Sequence, residues 1–176
     1  MLGVKRYEVR LEPHNGEWAE QFKADKAEIG EILGDNVIAI HHIGSTSIKG
    51  IYAKPILDFG ISVRDLNAIN IPGMEAAGYI CMGELGIPGR CYFVKRRDGD
   101  ISTHHIHCFE ENHWDLVNLI RFRDYLNGHP VYAKRYSDLK RELARQYASD
   151  REAYQDKKSD FIQSVLAMAK EEVENR

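Results

Sequence analysis

A turn of small polar residues, Gly44-Ser45-Thr46-Ser47, follows directly on a run of β-branched residues and histidines. Backbone amides exposed at such a turn, with hydroxyl groups beside them, make a compact binding site for anions. The same residues are also typical of an ordinary capped turn, because serine and threonine hydroxyls often satisfy nearby backbone groups. The turn therefore offers Gly44, Ser45 and Thr46 as candidate phosphate ligands, and the residues that follow decide between the two interpretations.

Asp58 stands in the middle of the next apolar run, Ile56 to Val63. Side chains alternate between the two faces of a strand, so Asp58 lies opposite the face that carries Leu57 and Phe59. A carboxylate in a strand costs free energy unless it is solvated, paired or bound to a metal ion. A solvated aspartate is one interpretation, and the turn upstream favours a metal or phosphate site. Gly60, the next residue on that face, is expected to leave space beside Asp58.

Two histidines on a predicted hairpin could belong to the same site. The runs Arg90 to Arg97 and Ile101 to Phe109 flank Asp98-Gly99, a dipeptide that strongly indicates a hairpin turn. Alternation along the second run places His105 and His107 on one face. Two imidazoles near a carboxylate can bind a transition metal, contact phosphate oxygens or move protons. Histidines on strands are as often only hydrogen-bonded surface residues, so both interpretations stay open.

The elements that position these residues follow from the spacing of apolar side chains. Further strands are predicted at Val37 to Ile43 and Tyr79 to Met82, and Tyr7, Val9 and Leu11 indicate a first strand or extended arm. The predicted helices span about residues 18–33, 65–78 with an interruption near position 72, 113–126, 131–147 and 150–174. The fold predicted is α+β: a mixed β-sheet with flanking helices and a helical C-terminal segment, in a single domain of residues 1–176.

Composition narrows the possible partners. The net charge of −3 and the pI near 6.2 disfavour a nucleic-acid-binding protein, which needs clustered basic side chains, so a small ligand is expected. The sequence contains no apolar run of membrane-spanning length, and charges within its first ten residues do not suit a signal peptide, so we expect no membrane partner and a cytoplasmic location. Cys81, Cys91 and Cys108 are interpreted as buried thiols. The oligomeric state stays open.

The sequence resembles the GrpB-like proteins, whose fold is that of the nucleotidyltransferase superfamily. The resemblance extends over nearly the whole chain. The motifs that carry it are His42 to Ile48, Ala53 to Asp58, Trp18 with Phe22, Arg90-x-Tyr92-Phe93, His104 to His107, Phe122 to Leu126, His129-Pro130, Leu139-Lys140, and Tyr154 with Lys158 and Phe161. Such a series of matches in order is highly specific for the family, and the resemblance to the family does not by itself assign an activity.

The superfamily pattern implies a role for each part of this region. A Gly-Ser turn takes the phosphates of a nucleotide, and two carboxylates alternating on the next strand hold divalent ions, usually Mg²⁺. This sequence has Gly44-Ser45 and Asp58, but Gly60 stands where the second carboxylate is expected. Asp58 is therefore a candidate catalytic residue and metal ligand, and His105 and His107 are candidate substitutes in both roles.

Four cations are candidates for binding the anionic ligand. Arg90 could hold a phosphate or carboxylate through two hydrogen bonds, and Lys54 supplies a point charge near the turn. Lys140 and Lys158 lie on predicted helices, where most lysines are simply solvated. The resemblance is the main reason to place these two lysines at the site.

Two function classes remain open. The first is a metal-dependent nucleotidyl- or phosphoryl-transferase acting on a small molecule. The second is a non-catalytic protein that binds a nucleotide or another phosphorylated metabolite with a degenerate site. A hydrolase with a histidine and aspartate metal site is a third and weaker alternative, and Ser45 lacks the Gly-x-Ser-x-Gly context of a nucleophile.

Overall fold

The computed structural model describes residues 2–5 and 8–175 of the chain. The strands are Val4–Lys5 (β1), Val37–Ile43 (β2), Leu57–Val63 (β3), Tyr79–Cys81 (β4), Arg90–Arg97 (β5) and Ile101–Glu110 (β6). The α-helices are Glu17–Leu33 (α1), Ile71–Ala76 (α2), Trp114–Gly128 (α3), Pro130–Gln146 (α4), Arg151–Asp156 (α5) and Ser159–Glu174 (α6). Short 3-10 turns lie at Gly34–Asn36, Ser45–Ser47 and Leu66–Ala68. The expected α+β class is confirmed.

The sheet is mixed, with the strand order β2-β3-β6-β5-β4 and β1 paired to the start of β6. Strands β3 and β6 are parallel, and the other pairs are antiparallel. The predicted β5–β6 hairpin is confirmed, with Asp98 and Gly99 both at positive φ in its turn. The parallel register pairs Asp58 with His105 and Gly60 with His107, which brings the candidate residues of two distant segments onto one face.

One face of the sheet packs against α1 and α2 and forms the main core. Alternation along β3 directs Leu57, Phe59 and Ile61 into this core, as the sequence predicts, and all three are fully buried. Helix α1 contributes the apolar side chains that its 3.6-residue period places on one side, among them Trp18 and Ile29. Burying a large apolar side chain stabilises the fold by about 1.5–3 kcal/mol, so this face is the principal source of stability.

The opposite face of the sheet is covered by the C-terminal helices, which have a smaller core of their own. Tyr136 of α4 and Val165 of α6 pack there with Ile48 and Ile51, which follow the Ser45–Ser47 turn. The helices therefore hold the segment between β2 and β3 against the sheet. The candidate residues lie between this helical layer and the sheet.

The structure differs from the sequence prediction in two helical segments, and for the N-terminal segment it agrees with the extended-arm alternative. Tyr7 lies outside the described residues, and beyond it the chain is an extended arm in which Val9 and Glu12 make backbone hydrogen bonds. Only residues 71–76 of the predicted helix at 65–78 are α-helical, because the Asn70 side chain caps a new helix start just before Pro72.

The predicted helix at 150–174 is interrupted after Asp156, and α6 begins at Ser159. This interruption matters for the site, since Lys158 is the residue at the break. No helix among the described residues has both the length and the apolar character needed to cross a bilayer.

Candidate active site

A cavity of about 350 Å³ opens between the sheet and helices α3 to α6. It is the point at which the turn after β2, the strands β3 and β6, and the helical layer meet. Eight of the ten residues expected from the sequence line it: Gly44, Ser45, Lys54, Asp58, His105, His107, Lys140 and Lys158. The other two, Thr46 and Arg90, lie behind its wall.

An aspartate–histidine pair forms the floor of this cavity. Asp58 Oδ1 lies 3.1 Å from Nδ1 of His105 on the adjacent parallel strand. Burial alone would raise the pKa of Asp58, but the hydrogen bond from His105 and the nearby imidazoles outweigh it and hold that pKa below its usual value. An ionised carboxylate only accepts hydrogen bonds, so Nδ1 of His105 carries the proton and Nε2 is the basic nitrogen.

Gly44 is required where the turn passes this pair. Its φ of +68° is in the left-handed region, and a Cβ at this position would collide with the Asp58 carboxylate. The absence of a side chain therefore lets the turn pack directly on Asp58. Ser45, the next residue, lines the cavity together with the buried Tyr136, whose pKa burial raises to about 12.

The contact with Arg90 fixes the tautomer of His107. The Arg90 NH1 group lies 3.3 Å from Nδ1 of His107, and a guanidinium can only donate, so Nδ1 accepts and Nε2 carries the proton. Burial lowers the pKa of His107 to about 4, with Asp58 opposing and with His105 and Arg90 adding to the effect. The two imidazoles that border the cavity therefore use Nδ1 in opposite ways, since Nδ1 of His105 donates to Asp58 and Nδ1 of His107 accepts from Arg90.

The Arg90 guanidinium does not reach the cavity as the sequence suggested. It donates to the carbonyl oxygens of Glu84 and Leu85 at 2.9–3.1 Å and lies over the ring of Tyr92. The residue is only 7% exposed. These contacts use most of its donors, so Arg90 acts on the site through His107 rather than by binding an anion directly.

Three lysines line the other side of the cavity. Lys54 and Lys158 place their amino groups 4.6 and 4.5 Å from the ring centre of the buried Tyr154. Lys140 is 1% exposed, donates to the carbonyl of Tyr52 and lies over the Tyr136 ring. Burial, together with the positive charges of Lys158 and Lys54, lowers the pKa of Lys140 well below its usual value. Three lysine side chains that converge on one cavity favour an anionic ligand.

The space expected beside Asp58 at Gly60 is filled. A Cβ at position 60 would lie 2.6 Å from Cδ1 of Leu116 and 3.2 Å from the Ile43 side chain. The missing side chain therefore serves close packing of α3 on the sheet, and a second carboxylate has no room here. Among the residues that the structure describes, no three His, Cys, Asp or Glu side chains are grouped to hold a metal ion.

Thr46 has a structural contact that its type alone did not indicate. Its hydroxyl donates to the Ile56 carbonyl at 3.1 Å and accepts from Nε2 of His42 at 3.0 Å, and the residue is 2% exposed. His42 in turn stacks on Phe22 at 4.5 Å, and burial lowers its pKa to about 4. Thr46 and His42 therefore fix the turn to β3, while Gly44 and Ser45 face the cavity.

Sequence reasoning missed several residues of the cavity wall. Tyr92, Leu119, Tyr136, Tyr154 and Gln155 all line it. Tyr92 and Tyr154 belong to motifs of the family resemblance, but the spacing of residues along a strand or helix could not show that they and Tyr136 border a cavity.

Comparisons with known proteins agree with this architecture. The family model described as "GrpB protein" matches residues 8–168. The chain is 37% identical over 172 residues to the glutamate-rich protein GrpB of Alkalihalophilus pseudofirmus, covering 94% of this chain and 98% of that protein. It is 41% identical over 164 residues to the UPF0157 protein YqkA of Bacillus subtilis, covering 92% of this chain. The chain spans about half, 47%, of the length of YqkA.

A solved structure shows the same fold. The crystal structure of the conserved protein GrpB from Enterococcus faecalis superposes with a TM-score of 0.87 at 31% sequence identity. The match covers 93% of this chain and 99% of the crystallised chain. The sheet and its helical layer are therefore common to both proteins.

Proposed function

The chain belongs to the GrpB family, and from that premise and the geometry of the cavity we propose that it binds a phosphorylated small molecule, a nucleotide in the first instance, and transfers a nucleotidyl or phosphoryl group from it. The order of a Gly-Ser turn followed by Asp58 on the neighbouring strand supports a relation to the nucleotidyltransferase superfamily. The chain spans 47% of the length of YqkA, so the activity proposed is that of this chain alone.

A single arrangement carries the proposal: the three lysines lie across one cavity from the Asp58–His105 pair. Lysine ammonium groups neutralise phosphate oxygens, and their attraction is strong in a partly enclosed site. A phosphate would also favour the charged form of Lys140, which its buried position disfavours in the free protein. Ligand binding is therefore expected to take up protons.

The Asp58–His105 pair can activate the acceptor. Nε2 of His105 takes the proton from an acceptor hydroxyl or water as its oxygen attacks phosphorus. A new P–O bond forms, and the P–O bond to the leaving phosphate or pyrophosphate breaks. Asp58 holds the imidazole in the required tautomer and stabilises its charged form, as in other aspartate–histidine pairs. The lysines and the Nε2–H group of His107 stabilise the negative charge on the phosphoryl oxygens.

The donor groups do not fit a resident pair of metal ions. Asp58 is the one carboxylate that lines the cavity among the described residues, and Leu116 occupies the place of a second. Nδ1 of His107 faces the Arg90 guanidinium, which disfavours a cation there. A Mg²⁺ ion that enters with its phosphate and water ligands would need only one protein carboxylate, and Asp58 is the candidate for it.

One observation favours the alternative of a binding protein without turnover. The close packing of Leu116 on Gly60 removes a carboxylate on which the superfamily's usual mechanism depends. The lysines and the Gly44-Ser45 turn do not depend on that carboxylate, so binding can persist without catalysis.

Thermal denaturation against nucleotides, sugar phosphates and inorganic tripolyphosphate, with Mg²⁺, with Mn²⁺ and with a chelator, tests binding first. A ligand at 100 times its Kd adds about 2.7 kcal/mol, which raises Tm by roughly 5–10 °C for a chain of this size. Phosphorus NMR on the ligands that bind then tests turnover with the wild type and His105→Gln. Loss of transfer with binding retained supports the enzyme, no turnover in either supports the binding protein, and no binding to any phosphate contradicts both.

A further inference from the structure

A second cavity of about 340 Å³ adjoins the lysine-lined cavity on the helical side. The two cavities share Gly44, Ser45, Leu119 and Tyr136 as lining residues. Ser45 and Tyr136 thus mark the common boundary of the two cavities. A ligand with its phosphates beside the lysines can therefore extend past Ser45 into the second cavity.

The chemistry of the second cavity differs from that of the first. Its walls are largely apolar, with Phe122 and Ile162 among them, and the exposed ring of Trp114 borders it. Its lining includes the amides of Asn118 and Gln163. The lining contains no lysine or arginine among the described residues, and Asp115 is its charged side chain. Such a lining disfavours an anion and suits an uncharged group with apolar faces and polar edges.

The polar groups are arranged to offer both donors and acceptors. Asn118 Oδ1 accepts from Arg121 NH1 at 3.4 Å, which orients the amide and leaves its NH₂ group as a donor. Asp115 Oδ2 lies 3.7 Å from Nδ1 of His113, and its carboxylate has further lone pairs that can accept from an amino group. Trp114 is 68% exposed, and a large aromatic side chain left in solvent beside a cavity is well placed to stack on a flat ring.

We propose that this second cavity is the subsite for the nucleobase of a nucleotide whose phosphates occupy the lysine-lined cavity. The inference rests on the proposed function and adds the chemical class of the non-phosphate part of the ligand. Trp114 stacks on the base, and the Asn118 and Gln163 amides with Asp115 contact its edge. A nucleotide needs both cavities, because the lysine-lined cavity suits its phosphates and the second cavity suits its neutral base.

The experiment compares ATP, UTP, ribose 5-phosphate and inorganic tripolyphosphate by calorimetry on the wild type, Trp114→Ala and Val131→Ala. Val131 is the control because it is similarly exposed, at 66%, and does not line either cavity. We expect Trp114→Ala to lower the affinity for at least one nucleotide about tenfold, the effect of losing one base–aromatic stack. Its affinity for tripolyphosphate should not change, and Val131→Ala should change neither.

Fluorescence gives a second reading that does not depend on a loss of affinity. The chain has two tryptophans, and Trp18 is buried in the core at 2% exposure, so a Trp18→Phe background reports on Trp114 alone. A bound nucleotide should quench Trp114, and tripolyphosphate should not. If tripolyphosphate binds but a base adds neither affinity nor quenching, the subsite is wrong and the phosphate site stands. If no phosphate binds, the proposed function fails and the subsite fails with it.

Discussion

Strand β6 carries two neighbouring histidines, His104 and His105, and each is paired with an aspartate from another element. The two aspartate–histidine pairs lie on opposite faces of the sheet. His104 Nε2 lies 2.9 Å from Asp25 Oδ2 of helix α1, and His105 Nδ1 lies 3.1 Å from Asp58 Oδ1 of strand β3. In both pairs burial would raise the pKa of the aspartate, and the histidine partner reverses that effect. The direction of the pKa shift therefore does not distinguish them.

The surroundings of the two pairs do distinguish them. Asp25 also accepts from Gln21 Nε2 at 3.0 and 3.1 Å, and Thr103 Oγ1 lies 2.8 Å from the second nitrogen of His104. Both carboxylate oxygens of Asp25 and both ring nitrogens of His104 therefore have hydrogen-bond partners, and we call this the closed pair. The described residues give no further hydrogen bond to Asp58 Oδ2 or His105 Nε2, and this open pair borders the 350 Å³ cavity. The same two residue types thus support the core on one face and are available for chemistry on the other.

The closed pair is expected to give the largest effect on stability. Asp25→Ala leaves His104 and Gln21 without their buried partner, so the free energy of unfolding should fall by about 3 kcal/mol. Urea denaturation measures the loss, and tripolyphosphate affinity of the folded variant should stay unchanged. An equal loss of stability in Asp58→Ala would remove the distinction between the pairs.

Gly60→Asp tests whether the open face has room for a second carboxylate. The new side chain would meet Leu116, so we expect a loss of about 2 kcal/mol from overpacking and no gain in Mg²⁺ binding. A double-mutant cycle with Leu116→Ala checks the cause, because relief of the clash makes the double variant more stable than the sum of the single effects. Strict additivity of the two losses would show that Leu116 is not the obstacle.

The imidazole of His107 should make stability depend on pH. Its pKa is about 4 in the folded chain and 6.5 ordinarily, so the unfolded state binds more protons between these values and stability falls as pH falls through that window. At pH 5 the loss from this group is about 2 kcal/mol. His107→Gln should flatten the profile by that amount, leaving the contribution of His42, whose pKa is also about 4. An unchanged slope would mean that His107 is not held neutral.

The smallest effect on stability is expected at Lys140. Replacing this buried ammonium by Lys140→Met should change the free energy of unfolding by less than about 1 kcal/mol, because an apolar side chain avoids the cost of desolvation. Tripolyphosphate affinity should fall about tenfold with the loss of one charged contact. Lys134→Met on the same helix is the matched control, since its side chain is 77% exposed. Equal effects of the two substitutions on affinity would place the anion elsewhere.

The alternation of side chains along the strands predicted which residues of the two pairs share a face of the sheet. Alternation along β3 and β6 identified the faces of Asp58, His105 and His107, and the hairpin dipeptide fixed the turn. Periodicity could not show which helix packs on which face. The partner of His104 is an aspartate on α1 that lies 79 positions away in the chain. The sequence therefore did not predict this contact.

Two further features could not be predicted from the sequence for the same reason. Leu116 fills the space at Gly60 because α3 packs on the sheet at that point, which no local pattern records. The break between α5 and α6, which places Lys158 at the cavity, lies within a segment whose apolar residues keep a continuous helical spacing. Side-chain type and face were thus predictable, and contacts between layers were not.

We expect Asp58 to serve a ligand and Asp25 to serve the fold, and Asp58→Asn measured beside Asp25→Asn is the decisive test of this difference. Titration with ATP and with tripolyphosphate, in Mg²⁺ and in chelator, is combined with the Tm of each variant. Asp58→Asn should weaken binding about tenfold in Mg²⁺, strengthen it slightly in chelator because a carboxylate repels phosphate, and leave Tm within a few degrees of the wild type. Asp25→Asn should lower Tm and leave binding unchanged. A strong fall in Tm for Asp58→Asn with unchanged binding would contradict the account and make Asp58 a structural residue.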